Sequence, residues 1–240
     1  MAIALDTASA GSNTTGTSLT YAHTCTGSNL ILFASVRTDT SVDDVTGVTY
    51  NAVSMTFVQK VKTTNGRWMY VYMLVAPATG TNNVVVSCTA SHYIASQAIS
   101  YTGAKQSAQP DYSTTDTQDG TGAQSYTKAI TTVADNCWVV TFPSGVTGAV
   151  TSVTNGTYRE GDTLGTYIYD SNGPKTPAGS YSMTVNVQDG NYSTTMLSIA
   201  PYVVAAGPTN LKSYNTNLKA NIKTINTNLI ANVKSLNTNI

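Results

Sequence analysis

Trp68-Met69-Tyr70-Val71-Tyr72-Met73-Leu74-Val75 alternates rings at 68, 70 and 72 with Met69, Val71 and Met73. In an extended chain such alternation puts the rings on one face and the flexible apolar side chains on the other. Both faces are apolar, so this segment is expected to be a central strand of a sheet covered on both sides. Runs rich in Val, Ile, Thr, Tyr and Phe recur around it at Thr17–Thr24, Leu30–Arg37, Val45–Tyr50, Val53–Val58, Asn83–Thr89, Ile94–Thr102, Tyr126–Val133, Cys137–Phe142, Tyr181–Val187 and Thr195–Ile199. Residues suited to positive-φ turns punctuate them: Thr-Asn-Gly at 64–66, Asp-Gly at 119–120 and 189–190, and Asn-Gly at 155–156 and 172–173. So many short strands must bury a face against other strands, and the expected fold is mainly β, with residues 1–205 forming a jelly-roll-like antiparallel β-sandwich head.

A different period governs the end of the chain. Asn-Thr-Asn-Leu-Lys-Ala-Asn-Ile-Lys-Thr-Ile at 215–225 is answered by Asn-Thr-Asn-Leu-Ile-Ala-Asn-Val-Lys-Ser-Leu at 226–236. Leu211, Tyr214, Leu218, Ile222, Ile225, Leu229, Val233, Leu236 and Ile240 fall at spacings of three and four, an 11-residue repeat. That period predicts an α-helical coiled coil that is straight or slightly right-handed, with these nine residues as its oligomerisation seam. Leu218, Ala220 and Ile222 also alternate as in a strand, but the alternation breaks at Thr224-Ile225 whereas the helical spacing does not. Asn and Thr are poor helix formers, so association has to stabilise this helix. The expected organisation is a head over 1–205, a linker over 206–210 and an oligomerising coiled-coil helix over 211–240.

Three stretches of the head carry a resemblance. They are Val48-Thr49-Tyr50-Asn51-Ala52-Val53-Ser54-Met55-Thr56, the run from Leu74-Val75-Ala76-Pro77-Ala78-Thr79-Gly80 to Val84-Val85-Val86, and Ala98-Ile99-Ser100-Tyr101-Thr102-Gly103. Asp135-Asn136-Cys137-Trp138 and the segment from Asp170 to Tyr181 add to them. Together they resemble the β-sandwich modules of tailed-phage structural proteins. The resemblance implies a virion protein, assembled in the host cytoplasm, acting as fibre, adhesin or capsid decoration. Ile222 and Ile225 with Leu218 and Leu229 along the seam suit more than two strands, and the resemblance adds weight to a homotrimer. The expected partners are further copies of the chain, other virion proteins and, through exposed tyrosines, a host-surface glycan. The motifs record turns and core strands and mark no active site.

Composition narrows the function classes. Charged residues are 10 % and hydrophobic residues 41 % of 240, so the polar surface comes from Ser, Thr, Asn and Gly, and charge-driven disorder does not apply. Lys212, Lys219, Lys223 and Lys234 lie in the tail, which leaves the head eight basic against twelve acidic groups, a net of −4. A phosphate-gripping basic patch is missing from that pattern, which speaks against a nucleic-acid partner. No apolar run reaches the length of a membrane span, and the N-terminus lacks the basic and apolar regions of a secretion signal, so neither membrane insertion nor signal-peptide export is expected.

Motifs for catalysis are scarce. Cys25, Cys88 and Cys137 are odd in number and lack zinc-knuckle spacing, so buried free thiols are expected. His23 and His92 lie beside strand-like segments without a two-His metal spacing, and are expected to be sheet or loop residues. No phosphate loop, nucleophile elbow or dinucleotide fingerprint is present, so no catalytic residue or cofactor is assigned. Asp39/Asp43/Asp44 and Asp111/Asp116/Asp119 could hold Ca²⁺, but solvated turns are the plainer expectation. Glu160 beside Arg159 suggests an ion pair or an exposed turn. Tyr158, Tyr167, Tyr169 and Tyr192 lie in turn-rich segments and could form a sugar-stacking surface, whereas Trp68 and Trp138 are expected in the core. A structural virion protein is thus expected first, a carbohydrate-binding module second, and a glycan-cleaving enzyme, which needs two facing carboxylates, third.

Overall fold

The structure is a computed structural model that describes residues 1–11, 13–63, 66–145, 150–162, 165–188 and 190–203. The expected linker, the helix and its seam lie outside the described residues. Met1–Val203 form one compact unit. Its first eight strands are β1 (Ala4–Ala10), β2 (Thr14–Cys25), β3 (Ile31–Thr38), β4 (Val45–Tyr50), β5 (Val53–Ser54), β6 (Thr56–Lys62), β7 (Trp68–Val75) and β8 (Gly80–Thr102). The next eight are β9 (Tyr112–Gln118), β10 (Gln124–Thr131), β11 (Trp138–Gly145), β12 (Val150–Thr154), β13 (Thr157–Gly161), β14 (Tyr167–Asp170), β15 (Ser180–Val187) and β16 (Tyr192–Ile199).

Every pairing between them is antiparallel. The 23-residue strand β8 belongs to two layers at once. Gly80–Cys88 pairs with β2 and β4, while Ile94–Thr102 pairs with β1 and β3. Between these halves Thr89, Ala90 and Ser91 are exposed and the register against β2 shifts, so the strand turns a corner there. One layer is therefore β1-β8-β3-β7-β6 and the other β2-β8-β4-β5. Leu32, Val36, Tyr70 and Tyr72 from the first meet Leu19, Tyr21, Val48, Tyr50 and Val86 from the second in a common core.

The second eight strands repeat this order. The five-stranded sheet β13-β14-β11-β16-β9 corresponds to β6-β7-β3-β8-β1, and β10-β15-β12 to β2-β8-β4. Registers agree: Phe33 lies opposite Met73 and Ala34 opposite Tyr72, as Val140 lies opposite Asp170 and Thr141 opposite Tyr169. Local sequence follows, with Val45-Thr46-Gly47-Val48-Thr49 matching Val150-Thr151-Ser152-Val153-Thr154 and Tyr70-Val71-Tyr72 matching Tyr167-Ile168-Tyr169. Asn29 (φ 50°) and Asn136 (φ 61°) turn the chain into β3 and β11 in the left-handed region that Asn tolerates.

The single sandwich expected for the head is thus replaced by two, stacked as four β-layers around three cores. The middle core joins the two sandwiches through positions equivalent in each: Ile31 with Trp138, Phe33 with Val140, Val71 with Ile168, Ile99 with Leu197 and Tyr101 with Ile199. This explains the alternation of β7. Tyr70 and Tyr72 face the first core and Val71 and Met73 the middle one.

Candidate functional site

The most concentrated chemistry lies at the corner of the first sandwich, under the connection from β3 to β4. Three aspartates in that connection each meet a different partner. Asp39 accepts from Arg37 (Nε, 3.0 Å) and pairs with Arg67 (Nε, 3.2 Å). Asp43 pairs with Lys60 and accepts from the Tyr70 hydroxyl at 3.0 Å. The Lys60 hydrogen bond leads the contacts that hold the Asp43 carboxyl below its usual range.

Asp44 is different, being only 5 % exposed. Its backbone carbonyl accepts from Thr89 N at 3.0 Å, which ties the connection to the β8 corner. Its carboxylate, the Cys88 thiol and the His92 imidazole converge, one ligand atom from each lying within 4.8 Å of the others. His92 Nδ1 is 3.1 Å from Asp44 Oδ2, yet neither carboxylate oxygen nor His92 Nε2 has a hydrogen-bond partner. Burial, with Asp44 adding to it, pushes the Cys88 thiol up to about 11. A thiol, an imidazole and an acid are the group types of a nucleophilic triad, and burial here favours the protonated thiol over the thiolate. Beside the cluster a groove of about 460 Å³ is lined by Thr46, Thr49, Ser54, Met55, Phe57, Tyr72 and Ser87 rather than by Asp44, Cys88 or His92. Phe57 stands 47 % exposed and packs edge-on against Tyr72.

Other singled-out residues have structural surroundings. All three cysteines are free and buried, as expected. Asp111 Oδ2 accepts from Val133 N, Ala134 N, the Cys137 thiol and Ser198 Oγ, while Asp116 accepts from Gln118, so that group of acids is dispersed over separate contacts. Arg159 does not pair with Glu160. It reaches Asp170 with Nε and Nη2, both at 2.8 Å, from the point where the β13–β14 register shifts, while Glu160 accepts from the neighbouring Gly161 N. Of the four tyrosines, Tyr158 is exposed, Tyr167 half-buried, and Tyr169 and Tyr192 are core residues. Those two belong to strands whose inner face closes the third core, which removes them from a sugar-stacking surface. Trp138 is buried as expected; Trp68 is only half-buried, its ring flanked by Lys60 and Lys62 and its Nε1 donating to Ser41 O.

Sequence reading misses the Asp44, Cys88 and His92 convergence. Cys88-x-x-x-His92 is an even spacing that shares a face in a strand, but Asp44 joins it only because Val45 pairs with Cys88. Compared with protein-family models, curated proteins and solved structures, the chain matches none.

Proposed function

We propose that the chain is a homotrimeric structural protein of a tailed-phage particle, serving as fibre, adhesin or capsid decoration, with tandem jelly-roll sandwiches as its head and the 211–240 repeat as its trimerising coil. The observation that carries this reading is the stacking of two sandwiches of equal strand order through one apolar core. Such a stack spends its apolar and ionisable groups on rigidity, which suits a load-bearing surface part more than a cleft for turnover. Light scattering should give three copies for the full chain, and a chain ending at Val203 should be a folded monomer. Ile225→Asn should disassemble the full chain, since each of the three copies would bring one amide to the same level of the apolar seam. An equally tight oligomer from the shortened chain would move the interface into the head.

A second reading is a carbohydrate-binding module, favoured by the groove that sets exposed Phe57 over Tyr72 among Thr46, Thr49 and Ser54 hydroxyls. Aromatic rings with nearby hydroxyls are how proteins hold sugar faces. Glycan-array binding that Phe57→Ala abolishes would support it, and an array with no signal would remove it.

A further inference from the structure

We propose that Asp44, Cys88 and His92 bind one zinc ion, which clamps the corner of the first sandwich. The donor set is a thiol, an imidazole and a carboxylate, and Zn²⁺ takes all three at about 2.0–2.3 Å. Calcium and magnesium take oxygen donors, so sulfur and nitrogen select against them. Three donors around one tetrahedral ion stand about 3.5 Å apart. The observed separations, all within 4.8 Å, therefore need only a small inward rotation of side chains.

Two further observations point to a cation. First, Asp44 is 95 % removed from solvent by its 5 % exposure, and neither of its oxygens accepts a hydrogen bond. A buried carboxylate in that condition is costly, and the misaligned His92 approach at 3.1 Å does not satisfy it. A metal ion would engage it directly. Second, the fold does not require these residues. Cys88 lies opposite Val45 as Val187 lies opposite Val150, and Ile94 opposite Thr38 as Tyr192 lies opposite Gly145. Two residues before these last partners stand His92 and Gly190. The second sandwich closes the same corner with Val187 and Gly190, so the thiol and imidazole of the first are additions to a topology that forms without them.

On binding, the Cys88 thiol gives up its proton to solvent and the sulfur ligates as thiolate. The three residues supply three positions of a tetrahedron and leave the fourth to water. Asp44 enters β4, Cys88 ends the first half of β8 and His92 opens the second. A shared ion would therefore lock the two layers together at the point where β8 bends. The site is independent of the virion reading and stands or falls separately.

The test uses the full chain stripped of metal by chelator and dialysis. Titrated Zn²⁺ should bind at one ion per chain and raise the melting temperature, and Co²⁺ should give a thiolate-to-cobalt charge-transfer band. Cys88→Val copies the second sandwich and should fold while losing the band and the zinc-dependent rise. Cys137→Ala, altered at a buried thiol elsewhere, should keep both. Absence of stoichiometric zinc binding, a cobalt spectrum without a thiolate band, or a Cys88→Val chain that retains either signal would overturn the proposal.

Discussion

His23 is 1 % exposed, with Nδ1 2.7 Å from Ser9 Oγ and Nε2 3.1 Å from Ser100 Oγ, while Ser100 in turn donates to Asp6 at 2.7 Å. Burial lowers its pKa to about 4, against the opposing pull of the Asp6 carboxylate. The folded chain thus keeps this ring neutral where the unfolded chain, at 6.5, already takes up a proton. Its contribution is whole above the unfolded value and is lost as pH falls from 6.5 toward 4. Denaturant melts at pH 7 and pH 5 should differ by about 2 kcal/mol on this account, and His23→Gln should flatten that dependence. Asp170 is a second residue whose neighbours make it testable. It is fully buried and accepts from Tyr101 OH at 2.9 Å, from Arg159 twice and from Asn172 N. Asp170→Ala leaves the guanidinium without its carboxylate and should cost about 3–5 kcal/mol in urea unfolding. Tyr101→Phe, which leaves Asp170 its other donors, should cost about 1 kcal/mol. Equal losses for the two would show that the carboxylate is not the hub.

At the scale of elements, β8 divides its side chains among three environments. Val84 and Val86 face the first core, Val85 points to the outer face, and Ile99 and Tyr101 face the middle core. Ile99→Ala should therefore destabilise by about 2–5 kcal/mol, while Val85→Ala should stay within about 1 kcal/mol in the same denaturant titration. Strands with dense apolar alternation, such as β4 and β7, are legible from sequence to the residue. β8 reads as two strands because its corner, Thr89-Ala90-Ser91, is small, polar and exposed. β1, β9, β12, β13 and β14 also escape notice. Tyr112-Ser113-Thr114-Thr115-Asp116-Thr117-Gln118 carries few apolar residues, and the hydrogen bonds that extend β1 and β9 come from the long partners β8 and β16. β12, β13 and β14 are only five, five and four residues long, too short for a period to show.

For the molecule as a whole, the middle core decides how the head behaves. Ile31, Phe33, Val71, Met73, Ile99 and Tyr101 form one apolar face that the second sandwich covers. Residues 1–104 alone would leave that face open and should self-associate in light scattering. The intact head should by contrast unfold in a single calorimetric transition, since neither half keeps its surface without the other. Two separated transitions would mean that the sandwiches are stable independently and that this core contributes little.

What the sequence by itself determines here is local: the two-residue alternation of the strands, the doubly apolar β7, the turn positions of Asn155 and Asn172, and the unpaired cysteines. These follow from side-chain direction and backbone preference, which act over a few neighbours. Which strands pair is a long-range choice, because register depends on the partner strand as much as on the strand itself. Only the tertiary structure therefore decided that the head is two sandwiches, that Tyr169 and Tyr192 are core residues and not a sugar platform, and that Arg159 answers Asp170. The same holds for Asp44. Forty-three residues separate it from Cys88, and no local pattern joins them. They meet because β4 lies against the end of the first half of β8, where pairing energy spread over both strands sets the position of each side chain.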